Sequence, residues 1–145
     1  MYRVRAGELE VLLVHPGGPF FRNKDAGAWS IPKGMIEQTG ENMLLRAEIE
    51  FEEELGVPAV GSSFVELGSV KQKGGKTVHA WTFEGEFEGM VRSNTYKCEW
   101  PPHSGQMRDF PEVDDAQWFS LDTARTKINA AQTAFIERLT NILAT

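Results

Sequence analysis

The sequence predicts an α+β fold, a mixed β-sheet with helices on both faces, and three observations carry that expectation. Short stretches with strand-like apolar patterns lie near the start, in the middle and in the last third of the chain. Two longer stretches place their apolar residues at helical spacing. Glycine and proline clusters separate them, and the resulting order of elements suits a sheet covered by helices on each side. With 145 residues, the chain is expected to form one domain, residues 1–145, large enough to bury a core.

Val4 to Val14 reads as one or two strands broken at Ala6-Gly7, with Leu9, Val11 and Leu13 on one face. The chain opens almost inside that strand, so a further segment upstream of Met1 is an open expectation. His15-Pro16-Gly17-Gly18-Pro19 ends the pattern and begins a loop, through Gly27, that carries Arg22 and Lys24. Trp29-Ser30-Ile31 is a short extended piece forced out of helix by Pro32, and Thr39-Gly40 turns the chain.

A helix is expected from Asn42, as N-cap, to Leu55, with Gly56 at C′ and Pro58 preventing continuation. Phe64 to Gln72 and Thr77 to Phe87 read as two strands joined at Lys73-Gly74-Gly75-Lys76. Glu88 to Phe110 shows no sustained period and is too long for an ordinary connection, so it is expected to be functional or mobile. Val113 to Ser120 reads as a last strand, followed by a short helix capped at Ser120 or Asp122. The terminal helix places Ala131, Phe135, Leu139, Ile142 and Leu143 on one stripe.

Composition removes several function classes. The formal charge of -6 argues against nucleic acid as a bulk partner, which needs a broad basic surface, but leaves small anionic ligands open. Cys98 is the single cysteine, which excludes an internal disulfide and a cysteine-based zinc site. No apolar run has the length of a membrane span, and the N-terminus lacks the apolar block of a signal peptide. A cytoplasmic protein with no membrane partner is expected, as a monomer or homodimer.

The chemistry concentrates on the central helix. At 100° per residue, Glu53 and Glu54 lie at about -60° and +40° from Glu50, and Leu44, Ala47, Phe51 and Leu55 form the adjoining apolar stripe. Three carboxylates on one face are tolerable when solvated, where like-charge neighbours cost about 0.2–0.5 kcal/mol per pair. Partly buried at about 5 Å, the same repulsion approaches roughly 3 kcal/mol per pair, which a divalent cation would relieve. Hard oxygen donors select Mg²⁺ or Mn²⁺. A solvated acidic face and a metal site both fit the helix alone.

The residues before and along this helix resemble the signature of the Nudix hydrolase family. That signature runs Gly, five residues, Glu, seven residues, Arg-Glu, an aliphatic residue, any residue, Glu-Glu, any residue, Gly and an aliphatic residue. Gly34 begins it here, Glu41 matches the first Glu, and Glu50, Phe51, Glu52, Glu53, Glu54, Leu55, Gly56 and Val57 stand in register. The chain departs twice: six residues, Met35 to Gly40, separate Gly34 from Glu41, and Ile49 replaces the Arg. Arg46, four residues before Glu50, is the candidate to supply the missing guanidinium. Ile49 pairs instead with Leu45 in a second apolar patch, expected to pack under Glu88–Phe110 or to form a dimer contact.

The resemblance implies a Nudix fold, an α/β/α sandwich, and Mg²⁺-dependent cleavage of a phosphoanhydride bond in a nucleoside diphosphate-linked substrate. It implies Glu50, Glu53 and Glu54 as metal ligands, with Glu50 the preferred base, and Glu41 as an orienting residue. The Gly34 carbonyl and Glu112 are further candidate ligands, Asp115 being the alternative to Glu112. The run Trp29-Ser30-Ile31-Pro32-Lys33-Gly34 is similar to the dinucleoside polyphosphate and diphosphoinositol branch, with Lys33 a candidate phosphate contact and Trp29 a candidate substrate contact. Lys71, Lys73 and Lys76 could reach an extended polyphosphate, while Tyr96, Trp100 and His103 could meet a base or pack among themselves. His79 is read as structural. A nucleotide-binding module without turnover is the competing expectation, motivated by the altered turn and Ile49.

Overall fold

The computed structural model describes residues 1–33, 42–60, 63–72 and 74–144. Strands β1 (Tyr2–Arg5) and β2 (Glu8–Pro16) form a hairpin whose two-residue loop puts Ala6 and Gly7 at φ 52° and 80°. Two positive φ angles give the primed turn that matches strand twist. β2 pairs antiparallel on its other edge with β7 (Val113–Ser120), with a register shift at His15–Pro16. The boundaries expected for β7 and for the break in the first strand are those observed.

The expected second hairpin is β3 (Val65–Lys71) with β4 (Thr77–Thr82). β4 stops five residues short of Phe87, yet Phe83 and Phe87 remain buried in the core. Among the described residues the ladders fall into three antiparallel sets, β1-β2-β7, β3-β4 and β5-β6. Parallel bridges between Tyr2 and Glu84, and between Trp29 and Ile128, supply the mixed character.

Glu88–Phe110 corrects the expectation of an irregular segment. It contains β5 (Thr95–Glu99) and β6, which runs from Met107 to Pro111, in antiparallel register from Thr95↔Pro111 to Glu99↔Met107. The pattern is hard to see because the hairpin buries little: most of its residues are exposed. Local pairing forms it, without the apolar alternation that a core-facing strand requires.

β2 is buried on both faces. Val11 and Leu13 pack with Phe135, Ile136 and Leu139 of α3 (Thr133–Leu143) and with Ala124 of α2 (Leu121–Lys127). Leu12 and Val14 pack on the opposite side with Phe51 and Leu55 of α1 (Met43–Leu55). The single apolar face expected for this strand is therefore doubled, and helices cover both sides. In α3 the stripe holds at Phe135 and Leu139, but Leu143 is 39 % exposed and Ala131 precedes the helix. No helix among the described residues is long and apolar enough to cross a membrane.

Gln132, fully buried, ties these layers to the segment leading toward α1. Its Oε1 accepts the Ile31 N–H at 3.0 Å, while its Nε2 donates to Ser30 Oγ at 3.0 Å and Gln72 Oε1 at 2.7 Å. Val14 and Ser30 exchange backbone hydrogen bonds at 2.8 and 2.9 Å. Trp29, 5 % exposed, meets His15 and Phe119 edge-on at 5.1 and 5.0 Å. Gln132→Leu would strip buried groups of their partners and is expected to destabilise by roughly 2–3 kcal/mol. Urea unfolding checks it as a lower midpoint with unchanged m.

Candidate active site

Helix α1 starts and stops where its sequence allows. The Asn42 side chain accepts the Leu45 N–H at 3.1 Å, satisfying one of the orphan donors of the first turn. Gly56 adopts φ 81° and its N–H reaches Glu52 O at 2.7 Å. A Cβ at Gly56 would stand 2.6 Å from Arg92 Cβ, so a glycine also suits the close passage of the chain behind it. That chain satisfies two C-terminal carbonyls: Arg92 N–H donates to Leu55 O at 3.2 Å and Asn94 N–H to Glu53 O at 2.8 Å.

The face expected to carry the acids does so, and it borders the core. Glu50 and Glu54 are each 8 % exposed, beside buried Phe51 and Leu55, while Glu53 is half-buried. Burial raises the Glu50 pKa above its usual value; Arg46 opposes the rise and the neighbouring Glu53 carboxyl, in hydrogen-bond contact, adds to it. Glu54 is pushed up to about 8, chiefly by burial, with Glu112 and Glu50 adding to it and Lys33 working against it. The Lys33 N–H donates to Glu54 Oε2 at 3.0 Å.

Arg46 lies against the carboxylate as its i,i+4 position suggests, with Nη2 2.5 Å from Glu50 Oε1. Ile49, at the position of the motif's Arg, is 38 % exposed and Leu45 54 %. This corrects the expectation that their patch packs under Glu88–Phe110; the patch stays at the surface.

Glu112 stands between β6 and β7, held by its N–H on Asn94 O at 2.8 Å and by its carbonyl accepting Gly17 N–H at 2.9 Å. Its charge acts on Glu54. Asp115 turns back on its own strand, accepting from Ala116 N at 2.9 Å and Gln117 Nε2 at 2.6 Å. The structure thus brings Glu50, Glu53, Glu54, Glu112, Lys33 and Arg46 together.

Other candidates lie elsewhere. Trp29 is a core residue, its indole N–H bonded to Asp25 Oδ1 at 2.8 Å, which corrects its assignment as a substrate contact: burial leaves no face for a ligand. Tyr96 bonds Gly17 O at 3.2 Å and leans on Phe110. Lys71 and Lys76 are exposed at the β3–β4 turn, and His79 is half-buried opposite Ser69. Gly34, Glu41 and Lys73 lie outside the described residues.

Four contributors carried little or no sequence signal. Asn94 and Gly17 act through backbone groups, which any residue has. Gln132 could have been noticed, since it sits at helical spacing with Phe135, Ile136 and Leu139 and is the polar member of that set. His15, also buried, has Nδ1 2.8 Å from Asp114 Oδ1 and Nε2 2.6 Å from Lys24 O. Burial works against a charged ring, but the bonds to Lys24 O and Asp114 and the charges of Asp114 and Asp115 outweigh it and raise the His15 pKa above its ordinary value.

An apolar cavity of about 90 Å³ lies between α1, the strands and α3, lined by residues such as Leu13, Phe51, Ala80 and Phe135. None of Glu50, Glu53, Glu54 or Glu112 lines it, so it is distinct from the carboxylate site. Among the described residues, no group of three His, Cys, Asp or Glu side chains is arranged as a ready-made ion site. The donor set is nevertheless suited to a hard cation: acidic oxygens, two of them buried and held above their ordinary pKa.

Comparison with known proteins gives one family and several solved structures of similar fold. The family model described as the NUDIX domain matches residues 1–139. A C. elegans Ap4A hydrolase, solved as a binary complex, shares 23% identity at TM-score 0.66, covering 99% of this chain and 92% of that one. The NUDIX domain of Shewanella oneidensis NrtR, complexed with ADP ribose, shares 18% at TM-score 0.64, covering 98% and 82%. RenU, a Nudix hydrolase from M. smegmatis, shares 19% at TM-score 0.55, covering 99% and 81%. No curated protein matches.

The Glu54 shift makes a prediction about stability. Its folded-state pKa of about 8 exceeds the ordinary glutamate value of 4.5, so between those values the folded state holds a proton that the unfolded state has lost. Stability of metal-free protein therefore falls as pH rises through that window, by up to about 1.4 kcal/mol per pH unit from this group. Glu54→Gln is expected to flatten the fall, raising the thermal midpoint more at pH 8.5 than at pH 5.5. Equal gains at both values would contradict it.

Proposed function

Because the chain belongs to the Nudix family of pyrophosphohydrolases, we propose that it cleaves a phosphoanhydride bond in a nucleoside diphosphate-linked substrate at the Glu50–Glu53–Glu54 face. The observation that supports this most directly is the burial of Glu50 and Glu54 within reach of the charge of further carboxylates, an arrangement that favours bound positive charge. Mg²⁺, with Mn²⁺ as a substitute, would be held by Glu50, Glu53 and Glu54, with Glu112 and the Gly34 carbonyl as added donors. When bound, the ion neutralises the phosphate oxygens and makes water easier to deprotonate.

The chain's own groups divide the remaining work. Glu50 accepts the proton of the attacking water as oxygen bonds to phosphorus and the bridging P–O bond breaks, the leaving phosphate departing with the electron pair. Glu53 stands beside Glu50 and holds it toward the water. Arg46 keeps Glu50 oriented and ionised from one turn earlier, the task that the motif gives to the residue at Ile49. Lys33 places one cation next to Glu54, and Lys76, exposed at the β3–β4 turn, is the candidate to meet a longer phosphate chain. Dinucleoside polyphosphate is the substrate class we place first, on the Trp29–Gly34 run and on the fold shared with an Ap4A hydrolase.

Hydrolysis of a panel of dinucleoside polyphosphates, nucleoside triphosphates, nucleotide sugars and diphosphoinositol phosphates, with Mg²⁺ or Mn²⁺, tests the proposal. Turnover should fall at least about 100-fold in Glu53→Gln and Glu54→Gln. Tight binding across the panel with no turnover would make the protein a nucleotide-binding module instead. Arg46→Ala is expected to lower kcat/KM about ten-fold and to move its acid limb to higher pH, since Arg46 holds the Glu50 pKa down. An unmoved limb would remove Arg46 from this role.

A further inference from the structure

Two aromatic side chains outside the carboxylate cluster meet at the tip of the β5–β6 hairpin. The rings of Phe20 and Trp100 lie 5.6 Å apart at 82°. Phe20 is 57 % exposed, and Phe21 beside it 38 %. An edge-to-face pair forms a right-angled corner in which a third planar ring can stack on one member and abut the other. Lys24, on the same loop, holds its ammonium 5.4 Å from the ring centroid of Phe21, the residue next to Phe20.

Both carriers of the corner are rooted beside the acids. β5 begins directly after Asn94, whose N–H is bonded to Glu53 O at 2.8 Å. The Phe20 loop begins at Gly17, whose N–H is bonded to Glu112 O at 2.9 Å. The two roots are locked together, for a Cβ at Gly17 would stand 2.1 Å from Pro111 O and one at Gly18 1.9 Å from the Tyr96 hydroxyl. At about 3.3 Å per residue, the six steps from Asn94 to Trp100 put the ring on the order of 20 Å from the root. A ring in the corner is therefore joined to the carboxylates through a linker, as a nucleobase is joined to a reacting phosphorus through ribose and further phosphates.

We propose that Phe20 and Trp100 form the subsite for a nucleobase of the substrate, with Lys24 facing the phosphate chain that leads to it. This rests on the phosphoanhydride hydrolase reading and adds a determinant of specificity to it. Stacking accepts any base, so the corner selects for the presence of a base and not for its identity.

The test compares kcat/KM for diadenosine tetraphosphate with that for inorganic tripolyphosphate, both with Mg²⁺. Phe20→Ala and Trp100→Ala should each lower the ratio about ten-fold, through the KM of the nucleotide, and Trp100→Phe should restore most of it. A ratio that stays fixed, or both substrates falling together, overturns the proposal. Calorimetric binding of diadenosine tetraphosphate to the Glu53→Gln protein, alone and combined with Trp100→Ala, needs no turnover. Weaker binding in the combined variant supports the subsite and equal binding overturns it, even where the panel shows no hydrolysis and the hydrolase reading alone fails.

Discussion

Glu50 and Glu54 lie one turn apart on the face of α1 that also buries Phe51 and Leu55, so docking the helix and desolvating the carboxylates are one event. The apolar contacts that fix the helix on β2 and Phe83 hold two acids where water solvates them poorly. The protein answers with local donors and cations, Arg46 on Glu50 and the Lys33 backbone on Glu54, yet both acids remain displaced toward the protonated form. A cation held there, as proposed, would relieve that cost, and its affinity would then depend on the same packing that stabilises the fold.

The acids are useful only if the chain around them is held in place, and that hold comes from the far side of the sheet. Gln132 precedes α3, opposite α1, but bonds the backbone of Ile31 and the side chain of Gln72. Through Ser30 and its exchange with Val14, this fixes the strand-like piece that delivers Lys33 to Glu54. β2 is common to both cores, so the two helices are positioned against one shared strand.

The third wall is the exposed hairpin, which depends on backbone groups more than on burial. Arg92 and Asn94 close the end of α1, Glu112 spans Asn94 and Gly17, and the glycines at 17 and 18 leave room for Pro111 and Tyr96. His15, bonded to Asp114 and to the Lys24 carbonyl, ties down the far end of the same loop. Peripheral elements with little apolar area are thus made definite by hydrogen bonds and close approaches, a suitable base for recognising the outer parts of a ligand.

Much of this was legible in the sequence because it is local. Asn42 and Gly56 bound the helix through their own capping chemistry, the 3.6-residue repeat put Glu50, Glu53 and Glu54 on one face, and the Ala6-Gly7 break marked a turn. What only the tertiary structure decided is which residues distant in sequence share a location. It buried Trp29, separated Asp115 from Glu112, doubled the buried faces of β2 and turned Glu88–Phe110 into a hairpin. None of these follows from periodicity, since backbone hydrogen bonds look alike for every residue and burial depends on what arrives from elsewhere in the chain. The sequence by itself determined the helix and the acids it carries; their burial, and hence their chemistry, was decided by the sheet and loops that close around them.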